Sequence, residues 1–307
     1  SGDWSSDVCS SDLILLSKKR YVGNYYTDYN ENFYTNSMGI VLKRRDNAPI
    51  VKHIYGGVVN IILKHHLTQE FKEYYEKHPD TDIKKYMIKK ANDFTVKEAT
   101  KLLNGEFTMD KFIITKSLRS DYKNEDSIAH KVLANRMGDR DPGNKPQSND
   151  RIPYAYINVP SKKGEKILQG DRIEHPNFII ENKLKLDYKT YLTNQVAKPV
   201  SQIFGLVLED INGYVKGKHN FDKIKEKKKR DQKKAEYASK LLFERPIITY
   251  DNKRTGVREI TEFFQVKKKV VEVKDSESES GSGSGSDADA GSDTDSGSDV
   301  DADSGSD

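Results

Sequence analysis

Apolar and polar positions alternate along the first part of the chain and then fall into longer helical spacings. Residues 13–27, LILLSKKRYVGNYYT, read as a strand, a basic turn and a second strand, and SMGIVLKRRDNAP (37–49) as a strand running into a polar turn. From Ile50 to His78 the apolar spacing is helical, with Gly56-Gly57 as a weak or bent point. Residues 82–105 read as one or two helices closed by Gly105. KFIITKSL (111–118) is a short strand, 126–140 a helix starting near Asp126, 141–150 a loop and RIPYAYINV (151–159) a strand. Residues 186–211 form a long amphipathic helix interrupted at Pro199, and 221–244 a highly charged helix. From Arg245 the chain loosens. From Asp275 a Ser/Gly/Asp tract cannot bury enough apolar surface to offset its ordering entropy and reads as disordered. The pattern is mainly α with small β elements.

Composition changes this picture at both ends. The only tryptophan, Trp4, and the only cysteine, Cys9, fall in GDWSSDVCSSDL, which has no apolar periodicity. That peptide resembles one reading frame of a widely used sequencing adapter, so residues 1–13 are set aside as artefact and the natural sequence is expected from near Ile14, in mid-protein. Without Cys9 there is no disulfide framework, no cysteine-ligated metal cluster and no thiol nucleophile, which fits a reducing compartment. No apolar run is long enough to span a membrane. The tail, 275–307, carries 11 acids and no base, and the first thirteen residues carry three acids. Residues 14–274 are left with 52 bases against 34 acids, a net +18. Such a body calls for a polyanionic partner, most often nucleic acid, and is otherwise a merely soluble basic protein.

Five segments occur in order: SKKRYVG, KRRDNAP, ITKSL, HKVLANRMGDRDPGNKPQSNDRIPYAYI and HPNFIIENKLKLDYKTYLTNQVAKPVSQIF. Together, over roughly Leu15 to Leu208, they resemble the C-terminal end of B-family DNA polymerases, close to the delta polymerases and their large-DNA-virus relatives. The resemblance implies the end of a palm over 14–48, a helical thumb over 49–244, a linker over 245–274 and a disordered acidic tail over 275–307. It implies that Lys18-Lys19-Arg20-Tyr21 lies along the minor groove at the primer end. Cations there neutralise phosphates, and a tyrosine can donate from its hydroxyl or stack. Arg44 and Arg45 sit where palm passes to thumb, free to pair with Asp46 or reach phosphates, while Asp46 or Asn47 caps the helix from Pro49. Lys116, Arg119, Arg136 and Arg140 complete the expected DNA contacts, the last two sharing a helix face. His130 reads as a structural histidine, and Tyr188, Tyr191 and Leu192 as helix packing. Gly143 is expected to supply unusual backbone angles. Asn149 stands where relatives carry glycine, in left-handed geometry.

Polymerisation needs paired carboxylates on two metal ions, magnesium in the parent enzyme. The family's DxxSLYPS and YGDTDS segments are not in this sequence, so no catalytic or metal-binding residue is assigned here. The chain alone is expected not to synthesise DNA. Asp80-Thr81-Asp82 reads as a helix start and Asp293-Thr294-Asp295 as tail. His65 and His66, about 100° apart on a helix, chelate poorly. The cysteine-rich modules of the cellular delta enzymes are also missing, which fits a viral relative. Ile260, Phe263 and Phe264, at i, i+3 and i+4, resemble a sliding-clamp-binding motif, although Val257 stands where glutamine is usual; a small packed helix is the alternative. The acidic tail either mimics DNA or keeps the protein soluble.

The leading reading is therefore the last part of a DNA-directed DNA polymerase that grips primer–template duplex at an intracellular site of viral replication, in cytoplasm or nucleus. The alternative is a non-catalytic, basic nucleic-acid-binding accessory protein, with a histone-binding acidic chaperone last.

Overall fold

Residues flanking the basic turn form a hairpin: β1 (Leu13–Ser17) and β2 (Arg20–Tyr26) are antiparallel, with Ile14 opposite Val22. β3 (Phe33–Met38) pairs with the other side of β2. The computed structural model describes residues 13–26, 32–44, 46–160 and 167–256. The clamp-like Ile260, Phe263 and Phe264, the acidic tail, Arg45 and all of the adapter-like stretch but Leu13 lie outside the described residues. Burial in β2 is concentrated at Val22 and Gly23 and gives way to exposed Tyr25 and Tyr26. Val22 is buried and the Asn24 side chain donates to the Leu63 carbonyl at 3.0 Å, while on the opposite face Tyr25 and Tyr34 are exposed.

The strand expected over 37–49 ends at Met38, and Val41–Lys43 is a short 3₁₀ turn. Helix α1 (Pro49–Lys64) follows, buried on nearly every side through Ile50, Val51, Ile54, Tyr55, Val58, Val59, Ile62 and Leu63, as a central core helix should be. Two expectations for it are corrected. Its N-cap is Ala48 and no side chain caps it, because the Asp46 carboxylate is drawn to Lys116 instead, 2.8 Å away. Nor is the helix interrupted at Gly56-Gly57: it is continuous from Pro49 to Lys64, and a Cβ at Gly57 would lie 2.3 Å from Phe94, so the glycine serves a close helix–helix approach. The break comes at a 3₁₀ turn, His65–Leu67, before α2 (Gln69–Lys77). Helix α3 (Ile83–Leu103) is a single helix, capped by Asp82 accepting from the Lys85 amide, as the Asp80-Thr81-Asp82 reading required.

The second sheet is β4 (Ile114–Ser117), β5 (Arg151–Tyr156) and β6 (Ile173–Glu174), all antiparallel. Helix α4 (Ala129–Arg140) lies between β4 and β5 in sequence and packs on β6. In the loop after it, Gly143 is not the left-handed residue; it sits in a 3₁₀ turn over Pro142–Asn144, and Asn149 alone in that loop takes φ 75°. A short α5 (Pro176–Glu181) leads to α6 (Tyr188–Thr190), a π turn (Tyr191–Val196) and α7 (Ala197–Phe204). Pro199 has no N–H to offer Gln195, so the irregularity falls in the turn before it, not at the proline. Tyr191 and Leu192 are fully buried, as the packing reading required.

The last helix, α8 (Lys227–Thr255), corrects the end of the fold. The chain does not loosen at Arg245: the helix passes through Pro246 to Thr255 and stops at Gly256, φ 73°. Pro246 is buried in the helix, and Lys189 reaches Asp251 at 2.6 Å, so packing and an ion pair hold turns that sequence preference alone would break.

Histidines make the fold acid-sensitive. Burial holds His65 below the usual imidazole range, with the Lys90 charge adding to it; burial does the same to His130, helped by Lys116, and to His175 against the pull of Glu174. Each is more readily protonated unfolded than folded. The unfolded chain therefore binds more protons as the pH falls below about 6.5, and stability falls with it. Urea unfolding should give a smaller free energy at about pH 5.5 than at 7.5, and His65→Gln should flatten the difference. A pH-independent value over that range would contradict the buried neutral histidines.

Candidate nucleic-acid interface

At the tip of the first hairpin, Ser17 faces Arg20 across a two-residue turn, which leaves Lys18 and Lys19 exposed. Two contacts set that turn. The Arg20 guanidinium donates to Gln202 Oε1 at 2.6 Å, tying β2 to α7. It also lies near Tyr55, whose phenol burial pushes up to about 12 against the pull of this charge. Gly39, at φ 62°, passes under the turn; a Cβ there would lie 2.2 Å from the Lys19 carbonyl oxygen. Gly39→Ala therefore adds a left-handed alanine and a clash with backbone. It should cost about 3 kcal/mol in urea unfolding. A cost below about 1 kcal/mol would mean the turn is not wedged.

Around the second sheet the basic residues are partly spoken for. Arg44 is exposed. Lys116 is held by Asp46, and that bond keeps the Asp46 carboxyl below its usual range. Arg119 is exposed, and its backbone N–H donates to the Tyr122 hydroxyl at 2.7 Å, which in turn meets His130 Nε2 at 3.2 Å. His130 thus fixes the loop that presents Arg119. Arg136 and Arg140 share a helix face, but that face meets protein. Arg140 makes a two-pronged pair with Glu174, at 3.1 and 2.9 Å, and stacks 3.6 Å above the Phe178 ring. Arg136 donates to the carbonyls of Gly170 and Ile173. Glu174 is 3 % exposed.

The fold thus gathers separate basic segments into one scaffold: KKRY onto α7 through Arg20–Gln202, and KRRD onto ITKSL through Asp46–Lys116. The family model described as DNA polymerase family B matches residues 7–207. This chain belongs to DNA polymerase family B. It is 45% identical over 267 residues to a DNA polymerase of Pyramimonas orientalis virus, covering 83% of this chain and 20% of that protein. It is 42% identical over 258 residues to the DNA polymerase of Acanthamoeba polyphaga mimivirus, covering 83% and 12%. Against the DNA polymerase delta catalytic subunit of Caenorhabditis elegans it is 33% identical over 205 residues, 65% and 16%. The chain spans a fifth or less of the length of these relatives.

Within this family B chain, sequence reasoning passed over Arg151, exposed on β5 and directed along β4 toward Ser117 and the Thr115 carbonyl. It also passed over the cations of residues 216–234, beyond the family match, where charge density was the available signal. Among the described residues, no three His, Cys, Asp or Glu side chains gather where a metal ion could be held. No helix among them is long and apolar enough to cross a membrane.

Proposed function

We propose that this chain is the C-terminal part of a DNA-directed DNA polymerase of large-DNA-virus type, and that its task is to hold the primer–template duplex by its phosphates. One observation carries the reading: Lys18 and Lys19 stand exposed on a tight turn that is braced from both sides, by Gln202 through Arg20 and by Gly39 beneath. A turn whose backbone is fixed in this way need not be ordered on meeting phosphate, and lysines that meet phosphates read no base. In this reading residues 14–48 end the palm, and the thumb starts at 49 and runs on through α8. Tyr21, Arg44, Arg45 and Arg119 join the grip. Lys116, Arg136 and Arg140 act as positioning residues, since their charges already face Asp46 and Glu174.

Nucleotidyl transfer would rest on divalent ions and carboxylates of the parent enzyme outside this sequence, and the chain alone would be catalytically silent. Ile260, Phe263 and Phe264 would offer a sliding clamp its hydrophobic anchors. The work would be done inside the cell, at a site of viral replication.

The test is salt-dependent duplex binding by the full chain. Changing Lys18→Ala and Lys19→Ala together should lower the slope of log K against log salt by about 0.9 for each phosphate that is no longer neutralised. A slope equal to the wild type would remove the turn from the DNA interface.

A further inference from the structure

Residues 216–234 hold ten lysines and arginines against three acids, the densest positive stretch of the described chain, and the duplex-holding role assigned above uses none of them. They are presented on a built surface. His219 stacks edge-on against Tyr237 of α8 at 4.4 Å, with Tyr214 and Phe221 beside the same ring, so the loop before α8 is fastened to the helix. Asn220 accepts from the Lys223 amide and fixes the turn between them. The lysines themselves point away. Lys216, Lys218, Lys223, Lys225, Lys227 and Lys228 are exposed and, among the described residues, form no ion pair, whereas Lys229 and Lys233 are matched by Glu226 and Glu236.

This arrangement opposes the stability of the free chain. Lys227, Lys228, Lys229 and Arg230 open α8, where the helix dipole favours negative charge, and the N-cap Glu226, paired with Lys229, is the one acid set against these four cations. An anionic partner relieves that conflict. The segment is also tied to the basic turn through α7. Gln202 of α7 receives Arg20, and three residues on, a Cβ at Gly205 would lie 3.0 Å from the Ala235 backbone nitrogen of α8. From Ala235 back to Lys227 is about 12 Å of helix. One short helix thus links the two unmatched groups of cations.

We infer that the loop 214–225 and the first turns of α8 form a second contact for the same double-stranded DNA, made to its phosphates through Lys216, Lys218, Lys227 and Lys228. The inference rests on the duplex-holding reading, and it assigns contacts beyond residues 7–207, which the family model matches.

The experiment is a salt titration of the full chain on a duplex of about 30 base pairs, some three helical turns. Three variants are compared with wild type: Lys18→Ala with Lys19→Ala; Lys216→Ala, Lys218→Ala, Lys227→Ala and Lys228→Ala together; and the same four changed to arginine. The alanine set should lower the log–log slope by about 0.9 for each phosphate released, up to about 3.6 in all, and the arginine set should keep the wild-type slope. An alanine set with wild-type slope overturns the inference, as does an arginine set that loses slope equally, since charge would then not be the cause. If the alanine set loses slope and the Lys18/Lys19 pair does not, the turn loses its role and this surface keeps its own.

Discussion

Arg140→Ala should destabilise the protein by about 3 kcal/mol, the low end for breaking a buried ion pair, because the arginine itself remains partly exposed. The loss comes from what stays behind. Glu174 is enclosed, with Arg136 Nε 3.5 Å away and its own neighbour's N–H, from His175, at 2.9 Å as remaining support. The two-pronged bond and the stacking on Phe178 both vanish. Lysine should recover less than half, since an ammonium cannot match both carboxylate oxygens or lie flat on the ring. Urea unfolding of Arg140→Ala, Glu174→Gln and the double variant measures the coupling, which should exceed about 1 kcal/mol. Strict additivity would mean that the pair is a surface contact of small worth.

Tyr191→Phe should cost about 3 kcal/mol although it removes one oxygen and changes no shape, because a buried carbonyl and a part-buried N–H are orphaned at about 1–3 kcal/mol each. The hydroxyl donates to the Phe112 carbonyl at 2.6 Å and accepts from the Tyr156 N–H at 2.8 Å. It thus joins the chain before β4, the end of β5 and the π turn. Burial pushes this phenol far above its usual range, so it stays a donor at any pH the fold survives. The midpoint of urea unfolding should fall with an unchanged slope. A loss below about 1 kcal/mol would show that water or a rearranged backbone satisfies both groups.

Both predictions concern residues whose role was only half legible. Tyr191 was readable as packing, since it falls at helical spacing beside Leu192. That its hydroxyl is a buried junction was not, since its partners lie 79 and 35 residues away. Arg136 and Arg140 were correctly placed on one helix face by their spacing of four. Spacing says which side chains share a face and nothing of what that face meets. Asp46 shows the same limit: its position before Pro49 favoured a cap, and Lys116, 70 residues on, took it instead.

By itself the sequence determined the family, through five ordered segments, the first hairpin with its exposed lysines, the Asp82 cap, the left-handed Asn149 and the mainly helical architecture. These depend on interactions within a few residues, where backbone sterics and local hydrogen bonds decide. The tertiary structure alone decided that α1 continues unbroken through Gly56-Gly57, where α3 packs Phe94 against it. It decided that α8 continues through Pro246 because the helix is held on its buried side and by Asp251. It also decided which cations are held by carboxylates and which face outward. Burial and long-range pairing outweigh local preference there, since several kcal/mol of packing and ion pairing set against a preference of about 1 to 3 decide the outcome.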